Sequence, residues 1–411
     1  MSPKLRIVWI CHFTNNEIQD KLPLWKRFNE FASWISNAIA GFEKRDDVEL
    51  HIVAPHIYLK RDTHFILRNV NYYFLSYGFP IINRPWPSFF SLDSICAYPY
   101  ISRKIVKTVI KINPDVVNLQ GAENAYYSSS ILRLEKKFPC VITIQGFAGH
   151  MKDKKSQINI RRIKVEIEIL KKFKYFYLDY DAISIVREYS PNMVGKTIWW
   201  PANEDMIDKA NEVAYHEKIY DVLYCGRMEH TKGIEDFIKV VALLKIRMPN
   251  VKACIIGECL PDYLKYLKDL AKSLSCFDNI HFIGFVQTQS EMFDFFKRSK
   301  VFLVPTLVDR YPSTIREAIR LKIPVIAYRT GNIPWTNNRR ENIVLIEHGN
   351  DMQMAIEAEI LLKDKERQNR LIDSAWQFYE EEFSCNKNVD RFIRGYDAVI
   401  RDFKESIDLQ I

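Results

Sequence analysis

The sequence predicts an α/β protein built from two doubly wound parallel-sheet domains, and three observations lead there. Short β-branched runs alternate with segments of helical period, and they do so in two successive series. At 411 residues the chain exceeds the roughly 250 to 300 at which a single core stops growing. Between the two series lies a polar, proline-containing stretch, "KTIWWPANEDMIDKANEVAYHEK" (196–218), which has the composition of a connection.

In the first series the strand candidates are "LRIVWIC" (5–11), "VELHIVAP" (48–55), "DVVNLQ" (115–120), "CVITIQG" (140–146) and "AISIVRE" (182–188). In the second they are "YDVLYCG" (220–226), "VKACIIG" (251–257), "NIHFIGF" (279–285), "VFLVPT" (301–306), "PVIAY" (324–328) and "NIVLIE" (342–347). The boundary falls near 200–218, giving domains 1–205 and 206–390. The final segment, 391–411, is helical in spacing with no strand after it, and is expected to cross back onto the first domain.

With 47% hydrophobic and 13% aromatic residues the chain can bury a sizeable core. No run approaches the roughly 18 apolar residues of a membrane-spanning helix. The apolar start, "LRIVWICHF", is short and has no small-residue cleavage site after it, so it reads as a first strand, and a cytoplasmic protein is expected. Eight cysteines and nine histidines are scattered without ligand spacing, so buried free thiols and no metal are expected. The net charge is +8, and residues 151–180 hold nine Lys/Arg against four Asp/Glu. The segment 100–112 places Ile101, Ile105, Val109 and Ile112 on one helical face and Lys104, Lys107 and Lys111 on another. This basicity suits a phosphate-rich or anionic membrane surface, and solvated helix faces would explain it equally. No nucleic-acid-binding motif is present.

The chemistry concentrates in two stretches of the second half. In "YCGRMEHTKG" (224–233) a strand ends at Gly226, Arg227 and Lys232 follow with four residues between them, and Gly233 abuts a helix with apolar Ile234, Phe237, Ile238, Val241 and Leu244. Two flexible cations where the backbone turns tightly at a strand end suit a diphosphate. In "PTLVDRYPSTIREAIRLKIPVIAY" (305–328), Asp309 follows a strand and Glu317 comes after seven intervening residues. Ser313 is a candidate N-cap, and the N–H groups of Thr314 and Ile315 would then leave a helix terminus that binds phosphate readily.

With both stretches in hand, the second half resembles the nucleotide-sugar domain of a GT-B-fold retaining glycosyltransferase of family 4, of the bacterial polysaccharide type. The resemblance implies two Rossmann-like domains facing a central cleft. It also implies that the Gly-Arg…Lys-Gly loop (Gly226, Arg227, Lys232, Gly233) grips the donor diphosphate. Glu317 would then accept hydrogen bonds from the ribose, and Asp309 would hold hydroxyls of the transferred sugar. "HFIGFV" matches the family's F-x-G-x-V strand end, placing the backbone of Phe285 and Val286, beside Gly284, against the base. Two departures bear on the sugar end: Asp309 stands for the usual Glu, and Arg310 for the usual Gly.

The first domain departs further. The family's Gly-Gly loop is replaced by "CHFTNNEIQDKLPL", and Gln145 in "TIQGFAGHM" stands where many relatives have His. Gln cannot shuttle a proton near pH 7, so His150 and His12 are candidates for that place. Gln120 and Glu123 in "NLQGAEN" are candidates to face an acceptor sugar.

The expectation is a cytoplasmic, metal-independent, retaining enzyme of hexosyl type without a cofactor. It would use a nucleotide-diphosphate sugar and a saccharide acceptor, with a lipid-diphosphate-linked one suggested by the basic helices, in capsule or O-antigen assembly. The leaving diphosphate would take the acceptor proton. Alternatives are a nucleotide-sugar epimerase or phosphorylase of the same fold, or a non-enzymatic basic module for membranes or nucleic acid.

Overall fold

The computed structural model describes residues 3–19, 21, 33–56, 59, 61–76, 98–150, 156–212 and 217–408. The chain divides into two compact units, Met1–Trp200 with Asn388–Ile411, and Pro201–Lys387.

Unit 1 holds an eight-stranded sheet of order β3-β4-β2-β1-β5-β6-β7-β8. Its strands are β1 (Leu5–Cys11), β2 (Val48–His56), β3 (Thr63–Leu67), β4 (Val70–Ser76), β5 (Val116–Gln120), β6 (Cys140–Thr143), β7 (Tyr175–Leu178) and β8 (Val194–Thr197). Only β3 runs antiparallel to its neighbour. Residues Ile7 to Cys11 are all buried, as expected for a central strand covered on both faces. Their alternation feeds two cores. Val8 and Ile10 pack with Ile101, Ile105 and Val109 of helix Pro99–Ile112, whereas Ile7, Trp9 and Cys11 pack with Ile35, Ile39 and Phe42 of helix Ser33–Glu43. Burying each such side chain contributes about 1.5–3 kcal/mol.

The second face is completed by the last helix, Cys385–Asp408, through Val389, Phe392, Tyr396 and Val399. The Tyr396 hydroxyl accepts from Trp9 Nε1 (2.9 Å) and Asn118 Nδ2 (2.7 Å), so these three buried polar groups are paired with one another.

Two readings of the sequence are corrected in unit 1. The stretch 182–188 is no strand: it lies in helix Tyr180–Tyr189, whose N-cap Asp179 accepts from Ala182 N at 3.1 Å. Ala182 and Val186, four apart, are its buried positions, so the apolar spacing is helical. Lys104 does not sit on an exposed cationic face. It turns to Asp62 (2.5 Å) and the Ser76 carbonyl (2.9 Å), leaving Arg103, Lys107 and Lys111 exposed on that helix.

Unit 2 holds a six-stranded parallel sheet of order β11-β10-β9-β12-β13-β14. The strands are β9 (Tyr220–Cys225), β10 (Ala253–Ile256), β11 (Ile280–Gly284), β12 (Ser299–Val304), β13 (Val325–Tyr328) and β14 (Val344–Ile346). In chain order this is the 3-2-1-4-5-6 winding of the doubly wound fold, in which the strand sequence reverses between β9 and β12. Helix Ile234–Arg247 covers the sheet with Ile234, Phe237, Ile238, Val241 and Leu244, the stripe its 3.6-residue period requires. Among the described residues no helix is long and apolar enough to cross a membrane.

Candidate functional site

A doubly wound sheet opens a crevice at the carboxyl ends of the strands where the order reverses. In unit 2 that point lies between β9 and β12, and the two loops that leave them are the two stretches singled out by sequence.

The first loop closes in a 3-10 turn, His230–Lys232, and enters its helix through Gly233 at φ 70°. A Cβ there would meet the Pro305 carbonyl oxygen at 1.7 Å, so glycine is required both for the positive φ and for the approach of the second loop. The loops are also hydrogen-bonded: the Thr231 carbonyl accepts from Leu307 N and Val308 N, each at 3.0 Å. Held this way, Lys232 Nζ and Asp309 Oδ2 stand 2.6 Å apart with side chains 22% and 20% exposed. A cavity of about 170 Å³ lies beside the pair, lined in part by Gly226, Lys232, Asp309, Ser313 and Thr314. Arg227 does not line it. Its guanidinium is 64% exposed and pairs with Glu229 at 3.2 Å.

The helix expected near Thr314 spans Ser313–Arg320, but Ser313 is its first helical residue and Pro312 occupies the N-cap. The proline ring fixes φ at −59°, and with ψ at 129° this is a cap geometry, which displaces the start by one residue and removes any side-chain cap. The Ile315 N–H is taken by the Pro312 carbonyl at 3.2 Å, so Thr314, not Ile315, lines the cavity. One turn on, Glu317 is only 4% exposed. Burial pushes its carboxyl up to about 7, against the opposing pull of Arg316. Its charge in turn adds to the burial that raises the Cys225 thiol. Gly284 ends β11 at φ 85° and its carbonyl accepts from Gly257 N at 2.9 Å, while Phe285 beyond it is 63% exposed and Val286 half-buried.

Unit 1 reverses its strand order between β1 and β5; His12 follows β1, Gln120 is the last residue of β5 and Glu123 lies in the loop after it. His12 Nδ1 is hydrogen-bonded to the Tyr126 hydroxyl. Gln120 is fully buried, and among the described residues neither of its side-chain amide atoms has a partner. Glu123 folds back over Gly121, at φ 94°, with both carboxylate oxygens 2.8 Å from where a Cβ would be. Burial pushes its carboxyl up to about 7, reinforced by Glu166 and opposed by Arg162 and His12. Gln145 lies just past β6 and is half-buried. The side chain of His150 lies outside the described residues.

Sequence reasoning missed Arg162 and Glu166. Both belong to helix Gln157–Lys172, where a run of alternating charges reads as a solvated face. The available signal was their spacing of four, which puts opposite charges on one side of a helix.

Two α/β units with parallel sheets, the second wound 3-2-1-4-5-6 and carrying a cationic loop at its switch point, define the class. Residues 206–378, which lie within unit 2, match the family described as glycosyl transferases group 1. The chain is 23% identical over 213 residues to N-acetyl-alpha-D-glucosaminyl L-malate synthase of Bacillus anthracis, covering 52% of this chain and 54% of that protein. It is 25% identical over 159 residues to alpha-galactosylglucosyldiacylglycerol synthase of Streptococcus pneumoniae, covering 37% and 41%. The matches thus span about half or less of each curated relative. The crystal structure of Anabaena Alr3699/HepE in complex with UDP superposes with a TM-score of 0.62 at 15% identity, covering 95% of this chain and all of that one. The fold is GT-B.

Proposed function

We propose that the chain is a retaining, metal-independent glycosyltransferase of family 4 that moves a hexosyl group from a nucleoside-diphosphate sugar to a saccharide acceptor. The observation that carries this is the pairing of Lys232 with Asp309 across two loops that converge at the switch point of unit 2, beside the head of helix Ser313–Arg320. A donor diphosphate competes with Asp309 for Lys232, and the N–H groups at the helix start add to the positive potential there. Asp309, released from the lysine, accepts hydroxyls of the transferred sugar, and Glu317 accepts from the ribose. Stabilising charge as it grows on the leaving diphosphate is then the protein's main contribution.

The UDP bound by HepE favours a uridine donor. A thermal-shift and hydrolysis screen of UDP-, GDP- and dTDP-sugars tests the reading: a donor at 100 times its Kd is expected to add about 2.7 kcal/mol of stability. No shift and no hydrolysis with any of them would remove the reading.

In unit 1 Gln120, whose side-chain amide atoms have no partner among the described residues, and Glu123, whose Oε2 has none while Oε1 accepts from Asn124 Nδ2 at 3.3 Å, are suited to acceptor hydroxyls, since a buried polar group left unpaired costs about 1–3 kcal/mol. We place the enzyme at the inner face of the cell membrane, in assembly of a capsule or O-antigen polysaccharide on a lipid-linked acceptor. Arg103, Lys107 and Lys111, with exposed Tyr100 and Ile110, form a basic and partly apolar strip on helix Pro99–Ile112, and the pneumococcal relative's name is that of a glycolipid synthase. Each cation contributes about 1 kcal/mol near an anionic bilayer. Vesicles containing phosphatidylglycerol are expected to sediment the protein at low salt and to release it at high salt. Binding unaltered in a variant with all three cations changed to Glu would refute this placement.

A further inference from the structure

We propose that Arg162 and Glu166 are positioning residues that act as one clamp, holding the loops after β5 and β6 in register with each other. The proposal deepens the reading of unit 1 as the acceptor-binding unit and rests on it for its functional consequence.

The geometry is direct. Helix Gln157–Lys172 is capped by Ser156, whose side chain accepts from Asn159 N, and it presents Arg162 and Glu166 one turn apart. Arg162 reaches the loop after β5: Nε donates to the Glu123 carbonyl at 2.9 Å and a terminal nitrogen to Asn124 Oδ1 at 2.7 Å. Glu166 reaches the loop after β6: Oε1 accepts from Ala148 N at 2.9 Å and Oε2 from Gly149 N at 3.4 Å. The two loops carry Glu123, Gln145 and His150, with Gln120 ending β5 where the first loop starts, and they leave strands that neighbour one another in the sheet. Helix Gln157–Lys172 therefore fixes both loops from a single turn. Glu166 is 3% exposed, so its two backbone bonds are made where water cannot replace them.

The clamp depends on proton occupancy. An ionised Glu166 accepts from both N–H groups, whereas a protonated one turns one oxygen into a donor facing an N–H. The groups facing it are Arg162 on its own helix and Glu123 from the β5 loop, with His12 from the end of β1 beyond Glu123. Burial pushes the Glu166 carboxyl up to about 7, against the backbone N–H groups and Arg162 that favour its charge. The clamp is thus closed above neutrality and opens as pH falls below it.

The test uses the full chain, the variants Glu166→Gln and Arg162→Ala, and amide hydrogen exchange read by mass spectrometry and corrected for intrinsic rates. At pH 8 the peptide over 145–150 is expected to lose protection about tenfold in Glu166→Gln, and the peptide over 121–126 similarly in Arg162→Ala. Wild type at pH 6 should approach Glu166→Gln, whose own protection changes less with pH, by no more than the titration of Glu123 beside it accounts for. Equal protection in wild type and Glu166→Gln at pH 8, or a pH-independent wild type, would overturn the clamp. A second arm measures transfer to a panel of simple saccharides. Acceptor KM is expected to rise about tenfold in Glu166→Gln at pH 8, with UDP affinity by calorimetry unchanged. A lost clamp with unchanged acceptor KM would overturn its role in acceptor binding. No transfer by wild type would refute the glycosyltransferase reading while leaving the exchange result to decide the clamp.

Discussion

Lys232→Ala is expected to lower turnover by about 100- to 1000-fold, the scale found when a preorganised charge stabiliser is removed. Its ammonium lies in a half-covered site, fixed at 2.6 Å from Asp309 by two loops that the Thr231 carbonyl ties together. At about 4 Å and an effective dielectric near 20, its attraction to one phosphate charge is roughly 4 kcal/mol before desolvation. Because the diphosphate gains charge as the glycosidic bond breaks, that attraction grows along the reaction, and its loss falls on kcat rather than on KM. Removing the lysine also leaves Asp309 facing the diphosphate with no cation between, which adds repulsion. Folding should change little, since a partly exposed pair contributes about 0–1 kcal/mol. Arg227→Ala is expected to cost only about tenfold. Its guanidinium is largely in water beside Glu229, where salt screens it. Steady-state kinetics on both variants decides: near-normal kcat in Lys232→Ala would end the assignment of the diphosphate to this loop.

The reasons why some of this was legible in the sequence, and some not, are physical. The strands of unit 2 other than edge strand β11 are largely buried on both faces, so they stand out as unbroken apolar runs between polar helices, and the α/β class follows from their alternation. The loop proposed to bind the diphosphate could be found because that role needs glycines and cations close together in sequence. The ion pair between Lys232 and Asp309 could not be inferred, because 77 residues separate them and only the reversal of strand order brings them together. Arg162 and Glu166 escaped for a related reason. A charge facing a loop backbone leaves no periodicity, and the pair looks like any exposed i, i+4 pair until the two loops it touches are known. The stretch 182–188 misled because "AISIVRE" is β-branched, yet Asp179 three residues upstream was the cap that marks a helix. Ser313 misled by the same rule, with a proline holding the cap position one residue earlier.

Glu317→Gln is expected to stabilise the protein and weaken nucleotide binding together. The carboxyl is buried within helix Ser313–Arg320, and burial raises it from an ordinary 4.5 to about 7. Between those values the folded chain holds a proton that the unfolded chain has released, so stability falls as pH rises through the window. The cost is absent below about 4.5 and complete above about 7, where a shift of this size corresponds to roughly 3 kcal/mol. Glutamine carries no such charge. Calorimetric melting should therefore place Glu317→Gln above wild type at pH 8, by about 1–3 kcal/mol once relaxation is allowed for, and level with it near pH 4.5. A residual pH slope will persist in the variant, because Glu123 and Glu166 are raised in the same direction. A charge retained at that cost needs a partner, and two ribose hydroxyls would supply one. A hydrogen bond to a charged group contributes about 1.5–3 kcal/mol, so the free nucleoside diphosphate should bind roughly 10- to 100-fold more weakly. Titration calorimetry with UDP reads this separately from catalysis. Glu317→Gln with higher stability and unchanged UDP affinity would make the residue a structural charge and leave the ribose without its acceptor.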